Sequence, residues 1–574
     1  MADRWKAQRH CSPLIGHVSI HANKSMTVQL RMRSKIQDGR VMAKRCTWHD
    51  EIDAPAIRRE AVAAARVVSC FADRPQSLFD VFTRGFAANP AGTAIVFERQ
   101  RISYAALEEK VRRTADGLAS LGVVSGARVA ILLANCPEYV VLTFALARLN
   151  AIMVPMNIRE ATPELAYIIN DSQAELVIAH AHLQAVLPDG AAIPAVRSVV
   201  LLEADGSSIL DDLSQGAAPG EVASAGEHDV AVILYTSGTT GRPKGAMLSH
   251  FNVIHSFLHY QTAMEVTAED RSIIAVPMSH VTGLIALVTV MIGSGATLII
   301  MDSFSARDFI SLAARERMTH TLIVPAMFNL CLLQPDFATA DLSHWRVSGY
   351  GGAIMPQVTI GRLAEQLPQL KLMNCYGATE TTSPAVMMPT RFATQRAHQV
   401  GLPVLCADIM VMDANGCEVI SDTPGEIWIS GPMVVSGYWN NPEATSREFV
   451  GGYWRSGDIG SIDAQGFVQV IDRLKDVINR GGYKIYASEV ENILLDHAGV
   501  REAAVIGIAC PVLGERAHAY IVTDAPIASD ALKAYCGQHL ADYKVPERFH
   551  YVEALPRNAN GKVLKRNLRE LAAE

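Results

Sequence analysis

Eleven residues of this 574-residue chain, YTSGTTGRPKG at positions 235–245, concentrate the groups that hold phosphate. Three glycines let backbone N–H groups converge on one anion, Thr236, Ser237, Thr239 and Thr240 add hydroxyl donors, and Lys244 adds a positive charge. The apolar run DVAVIL precedes them, so a strand delivers the loop. The spacing G-x-x-x-x-G-K-[ST] cannot be fitted, which excludes a Walker loop. Composition alone leaves two readings open, a phosphate cradle and a flexible surface loop.

The elements that must position this loop follow from periodicity. From residue 77 to about residue 472, helix-like segments alternate with short apolar runs, the pattern of layered, largely parallel sheets covered by helices. Residues 105–121 are amphipathic, with Leu107, Val111 and Leu118 near one face, and ARVAILLAN follows as a buried strand. AELVIAH, SVVLLE and HTLIVPA read as further strands. The glycine-rich stretch 425–467 suggests a small antiparallel β subdomain. After DRLKD at 472–476 a helix from Ser488 and strands at AAVIGIA and AHAYIVT begin a small α+β domain. The expected division is a basic, disordered extension over 1–75, a large domain over 76–472 and a small mobile C-terminal domain over 473–574.

Composition narrows the function classes. A net charge of −7 spread along the chain offers no basic face for nucleic acid, and a 49% apolar share is ordinary for a globular enzyme. The ten cysteines include no C-x-x-C pair, which fits free thiols in a reducing cytoplasm rather than a disulfide frame or zinc site; Cys375 reads as a small buried hydrophobe. The leader carries Arg4, Lys6, Arg9, Lys24, Arg31, Arg33 and Lys35 without the apolar core of a signal peptide. A disordered extension, an early start codon and a transit peptide are its readings. Residues 283–301 have the length of a membrane helix, but G-S-G at 293–295 splits them into a buried helix, a turn and a buried strand. No integral membrane segment is expected.

YTSGTTGRPKG closely resembles the signature of the adenylate-forming superfamily, which includes acyl-CoA synthetases, peptide-synthetase adenylation domains and firefly-type luciferases. The resemblance runs from about residue 77 to 565, with GYGGA at 349–353, YGATE at 376–380, WRSGD at 454–458, DRLKD at 472–476, GGYKI at 481–485 and PRNANGK at 556–562 in order. It implies an AMP-forming acid–thiol ligase that uses ATP, Mg²⁺ and coenzyme A. A carboxylic acid would be activated as its acyl-adenylate with release of pyrophosphate, then passed to coenzyme A.

The resemblance also implies roles. The loop Thr236, Ser237, Gly238, Thr239, Thr240, Gly241 and Lys244 would hold phosphate. Gly351, Gly352 and Ala353 would line the adenine site, with the Tyr376 ring stacked on the base beside Gly377. Thr379 would hold phosphate, and Glu380 with Thr236 would bind Mg²⁺, a hard cation suited to oxygen. Asp458 would clamp the ribose hydroxyls, assisted by Arg473. Lys562 would offset charge at the α-phosphorus. Gly481, Gly482, Tyr483 and Lys484 would form the coenzyme A channel, with a hinge at Lys475. His280 would sit between the acid site and the thiol channel.

Substrate class follows in part. PMSHVTG lacks the Asp that anchors an amino-acid ammonium, and Val281 stands where hydroxybenzoate-activating relatives commonly carry Asn. The pocket segments 278–287, 350–353 and 376–388 contain no Lys or Arg for a second carboxylate. A mainly apolar acid, fatty or aryl, is expected. The alternatives are a ligase that loads a separate carrier protein and a nucleotide-binding protein without catalysis. A homodimer is compatible with this reading.

Overall fold

The computed structural model describes residues 45–62, 66–203, 220–236, 242–353, 355–557 and 563–572. From Cys46 onward the chain forms one compact unit. Ser237, Gly238, Thr239, Thr240, Gly241 and Lys562 lie outside the described residues, as does the leader through residue 44.

Among the described residues the strands form five sheets. Two large ones carry the body. In the six-stranded sheet the order is Lys244–Ser249, Val230–Thr236, Ile152–Pro155, Arg128–Leu132, Leu176–His180 and Ser198–Leu202. Its neighbours are parallel except the antiparallel pair on either side of residues 237–243, where Thr236 faces Lys244. In the nine-stranded sheet Lys371–Tyr376, Val347–Tyr350, His320–Ile323, Arg271–Ile274, Thr297–Ile300 and Thr93–Phe97 run parallel, with antiparallel strands at both edges. Strands such as Thr297–Ile300, TLII, are buried throughout, the composition that a doubly covered parallel sheet requires.

The helices cover these sheets as periodicity demands. Tyr104–Ser120 buries Leu107, Val111 and Leu118 and is capped by Ser103, whose hydroxyl accepts from Ala106 N–H at 3.2 Å. The apolar stretch at 283–301 resolves into a π-helix at Thr282–Thr289, a short helix at Val290–Gly293, a turn with Gly295 at φ +76° and the strand Thr297–Ile300. No helix among the described residues is long and apolar enough to cross a membrane.

The antiparallel subdomain is built on Asp408–Met412, Gly425–Ser430, Tyr453–Ile462 and Val468–Arg473. The C-terminal segment has its own sheet, with the long hairpin Val500–Cys510 and Gly514–Thr523 covered by Ala487–Leu495 and Ser529–His539. The nine described cysteines are free, and Cys375 is buried.

The expected disordered extension over 1–75 is corrected for its last thirty or so residues. Ile57–Val62 and Arg66–Phe71 form an antiparallel hairpin, and Trp48 lies in the main core with its indole N–H donating to Leu402 O at 3.4 Å. Arg74 is almost wholly buried between Glu60, at 2.7 Å, and Glu227, at 2.7 Å. Arg66 donates to Gly452 O at 3.2 Å, which ties the hairpin to the antiparallel subdomain. Buried apolar area and a doubly paired guanidinium hold a segment that its basic neighbours made look like a solvated tail.

Candidate nucleotide and acid site

The carboxyl ends of adjacent parallel strands form the crest at which open α/β sheets place ligands. Three predicted segments begin there in the nine-stranded sheet. Arg271–Ile274 leads to His280, Val347–Tyr350 to Gly351, Gly352 and Ala353, and Lys371–Tyr376 ends on Tyr376 itself. The last two strands are neighbours, with Tyr350 opposite Asn374. A Cβ on Gly351 would lie 2.4 Å from Cys375 O, so only glycine lets this loop approach the next strand.

Tyr376, Asp458 and Arg473 form one cluster. The Tyr376 hydroxyl donates to Asp458 Oδ2 at 2.6 Å, and Arg473 Nε lies 2.7 Å from Asp458 Oδ1. Asp458 and Arg473 face each other across paired strands, so register fixes the ion pair. Burial pushes the Tyr376 phenol well above its usual range, and the neighbouring Asp458 charge adds to it. On Arg473 burial is the largest influence and acts to lower the pKa; Asp458, Tyr376 and Glu380 outweigh it, and the net direction is upward. The aromatic ring is thereby held in one orientation by its own hydroxyl.

Gly377 and Thr379 shape the turn that follows. A Cβ on Gly377 would come within 3.1 Å of Thr381 Oγ1, and Ala378 N–H donates to that same hydroxyl oxygen at 3.0 Å. The turn Thr379–Thr381 buries both Thr379 and Glu380. Glu380 Oε1 accepts from the Tyr438 hydroxyl at 2.8 Å.

On either side of residues 237–243, Thr236 closes one strand and Lys244 opens the next. Lys244 does not point into open space. Its ammonium lies 2.5 Å from Glu448 Oε2 and 4.1 Å from the centre of the Tyr438 ring. His280 Nδ1 accepts from Thr282 N–H at 3.4 Å, and burial holds the imidazole below its usual pKa, so it is neutral at pH 7.

Residues 82–439 match the family described as AMP-binding enzyme, and residues 489–562 match the AMP-binding enzyme C-terminal domain. The chain belongs to the AMP-binding enzyme family. It is 35% identical over 479 residues to the long-chain-fatty-acid–CoA ligase FadD13 of Mycobacterium tuberculosis, covering 82% of this chain and 93% of that one. It is 34% identical over 503 residues to a feruloyl-CoA synthase from Amycolatopsis, covering 86% and 99%. The solved structure of ATP-bound MatB from Rhodopseudomonas palustris superposes with a TM-score of 0.81 at 31% identity, covering 87% of this chain and 99% of that one.

The remaining predicted positions lie at and beyond the end of the antiparallel subdomain. Lys475 sits in the turn Leu474–Asp476, directly after Arg473, and burial lowers its pKa. Asp476 is held by Arg569 at 3.0 Å from the last helix, while Arg473 is held by Asp458 of the large body. The backbone of Leu474 and Lys475 lies between these two ion pairs. Gly481 and Gly482 both have positive φ, +58° and +90°, in the turn between Ile478–Arg480 and Tyr483–Ile485. Tyr483 is exposed and stacks on Tyr543 at 4.7 Å, and Lys484 is exposed beside it.

Among the described residues no three His, Cys, Asp or Glu side chains converge on a metal position. A single buried carboxylate, Glu380, fits the way Mg²⁺ is usually held, by one or two carboxylates with phosphates and water supplying the rest. Sequence reasoning missed Tyr438 and Glu448, which surround Lys244 and Glu380. Tyr438 forms an isolated bridge with Ala246, and Glu448 ends the helix Pro442–Glu448, a helix in a stretch expected to hold only antiparallel strands and turns. They stand 194 and 204 residues beyond Lys244 (438 − 244 and 448 − 244), with no local spacing to mark them.

Proposed function

We propose that this AMP-forming acid–thiol ligase activates a mainly apolar monocarboxylic acid, fatty or aryl, as its acyl-adenylate and transfers the acyl group to coenzyme A. The observation that supports the substrate class is the segment after His280. Val281 and the π-helix Thr282–Thr289 bury their aliphatic side chains in the main core and carry no charged group. A buried ammonium or second carboxylate there would lack a partner and be strongly disfavoured. The fatty-acid and feruloyl substrates named for the two relatives lie in the same class.

In this reading Asp458 accepts from the ribose hydroxyls, Tyr376 stacks on adenine against Gly351, Gly352 and Ala353, and Thr379 and Thr236 donate to phosphate. Glu380 holds Mg²⁺, which neutralises phosphate charge when bound. Lys562 and the 237–241 loop offset charge at the α-phosphorus, and neutral His280, whose Nδ1 accepts from Thr282 N–H, donates from Nε2 at the carbonyl end. The turn Gly481, Gly482, Tyr483 and Lys484 then takes the pantetheine arm after motion at Lys475. Nine free described cysteines suit a cytoplasmic location.

A panel of acids in a pyrophosphate-release assay, with coenzyme A thioester measured in parallel, tests the proposal. Medium- to long-chain fatty acids or cinnamate-type acids should exceed amino acids and dicarboxylates by at least about a hundredfold in kcat/KM, since ~1.4 kcal/mol of lost pairing is already tenfold. An amino acid or dicarboxylate as the best substrate contradicts it.

A further inference from the structure

The hydroxyl of Tyr438 stands between two carboxylates, 2.8 Å from Glu380 Oε1 and 2.7 Å from Glu448 Oε2. A phenol has one proton, so at any instant it donates to one carboxylate and turns a lone pair toward the other. Glu448 has further partners: Lys244 Nζ at 2.5 Å on the same oxygen and Arg447 at 2.9 Å on the other. Glu380 has no other side-chain hydrogen bond among the described residues. Lys244, Glu380 and Tyr438 are all buried, at 8%, 8% and 3% exposure, which leaves the groups little freedom to avoid this competition.

We propose that Tyr438 and Glu448 are positioning residues that link the phosphate-loop lysine to the carboxylate at the cation position. The proposal rests on the nucleotide reading given above for Lys244 and Glu380. With Glu380 free, the Tyr438 proton is divided between two anions and Glu448 depends on Lys244, so the ammonium is sequestered from phosphate. With Glu380 engaged by a divalent cation, the Tyr438 proton is left to Glu448. That carboxylate then has donors from both Tyr438 and Arg447, and Lys244 is released to turn toward a phosphate. Filling the Glu380 position and engaging phosphate through Lys244 thus favour each other, and the coupling is reciprocal.

The linkage makes a prediction that a mere structural brace does not. Glu448→Gln removes the charge that sequesters Lys244, so the full-length variant should bind ATP more tightly than wild type in EDTA. The expected gain is about five- to tenfold, the scale of one charge-assisted hydrogen bond partly replaced by water. The further tightening that Mg²⁺ gives should shrink by the same factor. Glu448→Asp keeps the charge and should keep a wild-type Mg²⁺ effect. Tyr438→Phe should leave Mg²⁺-free affinity unchanged or weaker while reducing the Mg²⁺ effect. Titration calorimetry with ATP in EDTA and in Mg²⁺ reads all three, and Lys244→Met combined with Glu448→Gln should abolish the gain if Lys244 carries it. Equal or weaker Mg²⁺-free binding by a folded Glu448→Gln, with the Mg²⁺ effect intact, overturns the linkage. If that variant does not fold, an intact Mg²⁺ effect in Tyr438→Phe overturns it instead. Failure of the wild-type protein to bind ATP at all would sink the nucleotide reading rather than the link.

Discussion

The Asp458 cluster and the Gly481–Gly482 turn differ in how much of their final form the fold already supplies. Asp458 is buried at 4% exposure, and both its oxygens are taken, one by Tyr376 and one by Arg473. Around Gly482 nothing lies within 4 Å of where a Cβ would stand. The first region is prebuilt by strand register and burial. The second is a turn with an unusual backbone and open space, which gains a role only when something is brought to it. Adenylation chemistry is therefore expected to depend on packing, and thioester formation on conformation and access.

Substitutions should separate the two regions. The largest effect belongs to Asp458→Ala, which leaves a buried phenol and a guanidinium without their shared acceptor. It should cost about 3 kcal/mol of stability and raise the KM for ATP at least about tenfold, read by thermal melting and pyrophosphate release. Gly351→Ala comes next, because its Cβ would lie 2.4 Å from Cys375 O. A loss of about 1–3 kcal/mol is expected, with weaker ATP binding and no selective effect on the thioester step. Gly482→Leu should cost no more than about 1–2 kcal/mol, the strain of a side chain at positive φ. It should nonetheless lose most thioester formation while still releasing pyrophosphate. If Gly351→Ala and Gly482→Leu damage both steps in equal proportion, the contrast between the regions fails.

Acid gives the gentlest handle, and it acts through the large body. His255 and His259 are buried against Phe71, and burial, the largest influence on each, lowers both to a pKa of about 3. His250 is lowered to about 4 by the same cause. In the unfolded chain these imidazoles titrate near the usual ~6.5, so between that value and the folded ones the unfolded state binds more protons. Their contribution is fully present above pH ~6.5 and is lost as pH falls toward 3 to 4. His259→Phe should flatten the fall in melting temperature over this window; an unchanged pH profile would show that the imidazole is not buried neutral.

Much of the fold was legible because strand and helix periods are local. The apolar runs at 176–180, 198–202, 230–236 and 320–323 are strands, and the split of 283–301 followed from one G-S-G. Features set by distant contacts were not. Trp48 is fixed by Leu402 and Arg74 by Glu227, partners 354 and 153 residues away, so the ordered hairpin before residue 76 read as part of a basic leader. The placement of Lys244 shows the same limit. Its type and spacing admitted a phosphate-ligand reading, but the carboxylate paired with it lies 204 residues on, at the end of the helix Pro442–Glu448, in a stretch read from its glycines as strands and turns.

The most direct test of the two-step account is a single-turnover experiment with ATP, Mg²⁺ and a fatty or aryl acid, in which the products are separated before and after coenzyme A is added. Acid-dependent AMP-containing adenylate and pyrophosphate should appear first, and the acyl-CoA thioester with free AMP only after coenzyme A enters. Formation of ADP with an acyl phosphate, or thioester without a prior adenylate, would contradict it.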